Sequence, residues 1–370
     1  MSSAADQALA RLAAQPTGRV PVREDLRDVA PYGAPQRDVA VQLNTNETPW
    51  PPPAVLVRAL QDRIGELALH RYPDRTAWAL RQALGARFGL DPARVWPANG
   101  SNEVLAQLHQ AYGGPGRRVL TTDPGFAALP VIARTTGTEV ATVALDERLR
   151  LTPEAAAEAV ERHAPTLVCL ANPNNPTGLA EPAEVVRALH DAGDALIVID
   201  EAYAEFGDAS VVDLLGTLPR LVVTRTFSKA FRLAGARLGY LLGPAWVVDD
   251  LQRVRLPYHL DQITQALGEL ACAHADVVTA HLEAIIAERE ALQAALADRG
   301  VPTWPSQANF LLLRAPVADL FDRLLARGVL VRDVGSSPRL EGCLRVTVGT
   351  PEESAAFLQA LDAVLEEDRA

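Results

Sequence analysis

PTLVCLANPNNPTGLAEPAEVVRALHDAGDALIVIDEAY, residues 165–203, reads as strand, loop, helix, strand. Two short apolar runs, TLVCLA and ALIVI, flank a segment of helical pattern, PAEVVRALHDAG. A strand that returns through a helix lies parallel to its predecessor, and strands that are apolar throughout are covered on both faces. The alternation continues through RRVLTTD (117–123), ATVAL (141–145), RLVVTRTFS (220–228) and LGYLLG (238–243), with SNEVLAQLHQAYGG (101–114) as a further helix. The expected fold class is α/β, a parallel sheet with helices on both sides.

Beyond this core, LDQITQALGELACAHADVV and HLEAIIAERE make the region near 255–300 read as long helix. After Gly300 the pattern changes to strand (NFLLLRA), helix (ADLFDRLLARG), strands (GVLVRDV and CLRVTVGT) and a closing helix (EESAAFLQALDAVLEE), a compact α+β unit. At 370 residues two domains are expected. The boundaries read as an N-terminal arm over 1–45 that joins the small domain, a large domain over 46–255, and the long helix with the small domain over 256–370. A net charge of −11, with acids spread along the chain, argues against nucleic acid or an anionic membrane as partner. Three distant cysteines without metal-ligand spacing fit a reducing cytosol and no metal, and no segment has signal-peptide or membrane-spanning character, so the expected location is cytoplasmic.

Among 35 cationic residues, Lys229 is the sole lysine. An amine can shed its proton near neutral pH and attack a carbonyl, whereas a guanidinium keeps its charge. Asp200 ends a buried strand, where open α/β sheets bind their ligands. The same pattern resembles the Mg²⁺-binding strand of a P-loop ATPase, but the required G-x-x-x-x-G-K-[ST] is absent. As a simple strand-end cap, Asp200 needs no function at all. In NPNNPTG (172–178) the prolines restrict the backbone and leave the amides of Asn174 and Asn175 to face a ligand. Gly100 and Ser101 precede a helix, an arrangement that suits phosphate but also serves as an ordinary cap. With Thr226 and Arg237 they describe an anion site without Mg²⁺. An amine, a buried carboxylate, an amide-lined loop and a phosphate cradle are the groups that pyridoxal 5′-phosphate (PLP) needs.

NPNNPTG, IDEAY, TFSKAFRLAGARLGY and LRVTVGTPEES, in this order along nearly the whole chain, resemble the fold-type I PLP-dependent aminotransferases, class II in particular. PYGAPQ, LNTNETPWPPP, HRYPDR, ANGSNE and RLPYHL are further similar to the histidinol-phosphate branch of that family. The resemblance implies a large domain with a mainly parallel sheet, a smaller α+β domain and PLP as cofactor. Lys229 would bond to the cofactor and move the proton at the substrate's Cα. Asp200 would pair with the pyridine nitrogen, Tyr203 and Asn175 with the ring oxygen. Ser101, Asn102, Thr226, Ser228 and Arg237 would hold the phosphate. Arg345 would grip a substrate carboxylate, Arg332 the substrate phosphate, and Tyr32 and Asn46 would line the substrate side. Tyr72 would reach the neighbour's cofactor across a homodimer.

Phe126, in DPGFAALP, stands where the family commonly carries a ring-stacking tyrosine; the ring face is kept and the hydroxyl is lost. His259, in RLPYHL, reads as a packing or capping residue. The activity implied is transamination between L-histidinol phosphate and 2-oxoglutarate, giving imidazole acetol phosphate and glutamate. An aromatic amino acid aminotransferase or a threonine-phosphate decarboxylase on the same scaffold remains an alternative. A PLP-sensing regulator would need a DNA-binding domain for which the chain has no room.

Overall fold

Strand β1 (Val41–Gln42) lies in the arm, and the apolar runs that follow become β2 (Val95–Ala98), β3 (Arg118–Asp123), β4 (Glu139–Ala144), β5 (Leu167–Ala171), β6 (Leu196–Asp200), β7 (Leu221–Thr226) and β8 (Gly239–Leu242). The computed structural model describes residues 20–27, 33–335 and 337–369. β2 to β8 form one sheet in the order β2-β8-β7-β6-β5-β3-β4. Both faces are covered, as uniformly apolar strands require. On β6, Leu196 and Val198 face a core shared with Val104, Leu108 and Leu129, whereas Ile197 and Ile199 face one shared with Val185 and Leu189. Because β5, β6 and β7 are parallel, Ala171, Asp200 and Thr226 end on the same edge.

One strand departs from the parallel expectation. β8 runs antiparallel to both β7 and β2. The reason is the connection: SKAFRLAGAR contributes only a single 3₁₀ turn at Ala234–Ala236, too little to carry the chain back across the sheet. β2 escaped the sequence reading because Pro97 lies inside it, yet β2 is an edge strand, where proline is tolerated.

The C-terminal part holds β9 (Phe310–Arg314), β10 (Val329–Leu330), β11 (Arg332–Asp333) and β12 (Cys343–Thr347). β11, β12 and β9 form an antiparallel sheet, while β10 pairs in parallel with β1 of the arm. GVLVRDV is therefore two strands, since the chain changes partner at Val331. Val41 and Leu43 enter a core with Leu292, Leu313, Val346, Phe357 and Leu361. Each such burial contributes about 1.5–3 kcal/mol, so the arm is held by apolar packing as well as pairing. The expected long helix is broken into Gln262–Ala273, Ala275–Thr279 and Leu282–Asp298, with a bend of 85°. His274 leaves helical geometry (φ −112°, ψ 27°) and His281 turns inward, buried. Cys169 and Cys343 are buried, and Cys272 is half-buried.

Candidate active site

A cavity of about 370 Å³ opens at the edge where β5, β6 and β7 end, against β11 and β12. Ser101, Asn102, Phe126, Asn175, Asp200, Tyr203, Thr226, Ser228, Lys229, Arg237, Asn46, Arg332 and Arg345 all line it. Residues from 46 to 345 are thus brought to one chamber by strand ends and one arm.

Its phosphate-sized end is built by close approach. Helix Ser101–Tyr112 starts here, and the first N–H groups of a helix have no intrahelical acceptor. Gly100, at φ +84°, admits the Arg237 guanidinium; a Cβ there would lie 2.8 Å from Nη2. Gly239 is required more strictly, since its Cβ would meet the Ser101 nitrogen at 2.2 Å. Arg237 itself sits at φ 53° and donates to the Ser228 hydroxyl (3.3 Å), which accepts from Thr226 Oγ1 at 2.9 Å. N–H groups, two hydroxyls and a cation converge on a pocket that suits a dianion.

In the same chamber Asp200 is buried, and its Oδ1 accepts from Thr224 Oγ1 at 2.8 Å. No cationic side chain among the described residues pairs with it. Burial pushes its carboxyl up to about 6, opposed by the Thr224 bond and reinforced by Glu201. Glu201, by contrast, is held by Arg225 at 2.6 Å, and Arg225 also binds Glu205 at 3.0 Å. A buried carboxylate lacking a protein cation fits a ligand that brings a protonated nitrogen. Lys229 Nζ donates to the Thr45 carbonyl at 2.8 Å. Burial, then the nearby Arg345, pushes its amine down to about 7 against the opposing pull of Glu47, with Arg237 lowering it further. A substantial fraction of the amine is therefore neutral and available as a nucleophile near neutrality.

Arg332 and Arg345 are directly opposite one another on β11 and β12. Like charges at facing positions repel unless an anion lies between or above them. Arg345 donates to Asn175 Oδ1 and to the Asn44 carbonyl, each at 2.6 Å, and Arg332 donates to the Gly33 carbonyl at 3.3 Å. Asn175 thereby turns its amide nitrogen away from Arg345. Asn174, which the sequence reading had also turned toward a ligand, instead donates to the Pro124 carbonyl at 3.2 Å. Phe126 lines both this cavity and a neighbouring one of about 350 Å³ that shares Arg332 and Arg345.

Sequence reasoning missed the strap 44–48, apart from Asn46, although LNTNET had been singled out as a motif. Asn44 holds Arg345, Thr45 holds the Lys229 amine, and Thr48 Oγ1 donates to the Lys229 carbonyl at 2.6 Å. Thr224 and Thr347 were missed as well, being short polar residues within apolar strands. One expected residue lies elsewhere. Tyr72 does not line the chamber of its own chain; it is 77% exposed and stacks on Tyr258 with centroids 4.3 Å apart. Tyr32 lies outside the described residues. His259 stacks on Trp96 at 5.2 Å and hydrogen-bonds the Pro97 carbonyl at 3.0 Å, the packing role expected of it.

Known proteins are similar to the chain in both sequence and fold. The chain is 48% identical to the histidinol-phosphate aminotransferase of Thermobifida fusca (strain YX), over 92% of its own length and 95% of that protein's. It is also 48% identical to the Frankia casuarinae protein of the same name, covering 94% and 90% of the two chains. The crystal structure of histidinol-phosphate aminotransferase from Sinorhizobium meliloti in complex with pyridoxal-5′-phosphate superposes with a TM-score of 0.81 at 29% identity, over 90% of this chain and 92% of that one. The profile of aminotransferase class I and II matches residues 38–361, and the chain belongs to that family.

Proposed function

We propose that the chain is a PLP-dependent aminotransferase that exchanges the amino group between L-histidinol phosphate and 2-oxoglutarate, giving imidazole acetol phosphate and L-glutamate. The facing arginines Arg332 and Arg345 carry this reading: a cation pair in the same chamber as the Arg237 cradle suits substrates that bring their own anion. PLP supplies an aldehyde that receives the amino group and an electron-poor ring that draws charge from the substrate's Cα. The cradle of Ser101, Asn102, Thr226, Ser228 and Arg237 would hold its phosphate. Asp200 would hold a proton on the ring nitrogen, Phe126 would offer its face to the ring, and Tyr203 and Asn175 would donate to the ring oxygen. Lys229 would hold the cofactor at its aldehyde end and would move the proton at the substrate's Cα, for which an amine titrating near 7 is well matched.

Histidinol phosphate has a phosphate and no carboxylate, whereas glutamate has two carboxylates, so the arginine pair must serve both. A hydrogen bond to a charged group contributes about 1.5–3 kcal/mol, and lysine lacks the planar fork. Arg345→Lys is expected to lower kcat/KM roughly ten- to a hundredfold in both half-reactions. Arg332→Ala should penalise histidinol phosphate more than histidinol. Glutamate formation measured with histidinol phosphate, histidinol, phenylalanine and threonine phosphate as amine tests function and residue together. An unchanged phosphate-to-alcohol ratio removes Arg332 from the phosphate site, and a preference for phenylalanine, or carbon dioxide release from threonine phosphate, replaces the substrate assignment.

We also read the molecule as a cytoplasmic homodimer that shares Tyr72. The exposed Tyr72–Tyr258 stack, with Leu69 and Leu256 also exposed, supports an apolar surface for a second copy, and three free cysteines support a reducing compartment. Mixed dimers of Tyr72→Ala and Lys229→Ala contain one intact site per hybrid. Equal mixing is expected to recover roughly a quarter of wild-type activity from two poorly active parents. No recovery beyond the sum of the parents means Tyr72 does not act across the interface.

A further inference from the structure

Asn46, expected to line the substrate side, lines the cavity and is also tied into the protein around it. It is 1% exposed, adopts a left-handed φ of 55°, and is bonded at every polar group. Its N–H donates to Thr347 Oγ1 at 3.0 Å, its carbonyl accepts from Asn309 Nδ2 at 3.0 Å, its Oδ1 accepts from Thr347 Oγ1 at 3.2 Å, and its Nδ2 donates to the Tyr203 hydroxyl at 2.9 Å. The order of these bonds is directional. Thr347 accepts from the Asn46 backbone, so the single hydroxyl proton of Thr347 goes to Oδ1. With Oδ1 engaged, the NH₂ end of the amide faces Tyr203. The tyrosine oxygen then spends a lone pair on Asn46, and its own proton is directed to an acceptor other than Asn46.

We infer that Asn46, oriented by Thr347, is a positioning residue that fixes Tyr203 as a proton donor to the ring oxygen of the cofactor. The inference rests on the PLP reading above. Thr347 is two residues from Arg345 on β12, so both side chains project from one face of one strand. The strand that meets the substrate anion therefore also sets the direction of the Tyr203 hydroxyl.

Absorption titration of the holoenzyme tests this. Charge on the ring oxygen stabilises the proton on the nitrogen that joins Lys229 to the cofactor. An O–H donated to that oxygen draws charge away, so losing the donation raises the pH at which the nitrogen releases its proton. In Asn46→Asp the carboxylate would accept the Tyr203 proton, and the titration midpoint is expected to rise by about one pH unit or more. Thr347→Val frees the amide to turn and should raise the midpoint by less, while Thr347→Ser should titrate as wild type. Thermal melting of each holoenzyme shows which variants are folded. Midpoints within about 0.3 of wild type in folded Asn46→Asp and Thr347→Val overturn the inference, as does a change in melting temperature alone. If the wild-type protein gives no lysine-bound cofactor band at all, the PLP reading fails instead, and the two failures are distinct.

Discussion

Lys229→Arg protein is expected to keep its fold and lose turnover by on the order of 10⁴-fold, because a guanidinium neither bonds to the cofactor aldehyde nor carries a proton at neutral pH. The charge of the site is retained, which separates the chemistry of the amine from its electrostatics. Borohydride reduction of the wild-type holoenzyme should fix PLP to the peptide containing Lys229, since the N-terminal amine is the sole other candidate. Recovery of the adduct mainly on the N-terminal peptide, or measurable steady-state turnover by Lys229→Arg near the wild-type rate, contradicts the assignment. Loading of the cofactor should also accelerate as pH rises through about 7, the range where burial lets the amine become neutral.

Asp200→Asn should act in opposite directions on catalysis and on stability. Turnover is expected to fall by about 10²–10³-fold, the usual loss when one preorganised electrostatic contact is removed. Stability of the cofactor-free protein should rise instead. Burial lifts the Asp200 carboxyl from 3.8 to about 6, so the fold favours the neutral acid. That favourable contribution is complete below pH 3.8 and disappears as pH rises through about 6. Asparagine bears no charge to desolvate and still accepts from Thr224. The variant should therefore melt above wild type at pH 8 and beside it near pH 4, whereas PLP should stabilise wild type more than the variant. A melting difference that does not change with pH would show that Asp200 is not strained by its burial.

The residues of the chamber that were legible in the sequence share a local signature. Lys229 is chemically alone in an arginine-rich chain, Asp200 follows a continuous apolar run, and Ser101 and Asn175 stand in short motifs at a helix start and a strand end. Each can be read without knowing what lies opposite. The β5-β6-β7 core was legible for the same reason, since βαβ repeats are local in sequence. The reversal of β8 depended on a loop that forms no helix, and the break at His274 carries no proline or glycine to mark it. The facing of Arg332 and Arg345 is a matter of register across a hairpin-like return. Asn46 and Thr347 meet over a separation of 301 residues, which no periodicity encodes.

β1 pairs with β10, Val41 against Val329, and the Leu43 carbonyl accepts from Thr347 N at 2.9 Å. The first strand among the described residues is thus completed by some of the last. A chain leaving the ribosome exposes 41–48 early and must wait for nearly all of its sequence before that strap can seat, while the β5-β6-β7 core, whose contacts are near in sequence, can form long before. Nascent chains and C-terminal truncations lacking β10 and β12 have no seat for Thr45 beside Lys229 or Asn46 beside Tyr203. The order of synthesis itself therefore keeps the reactive amine from being fully furnished until the polypeptide is finished.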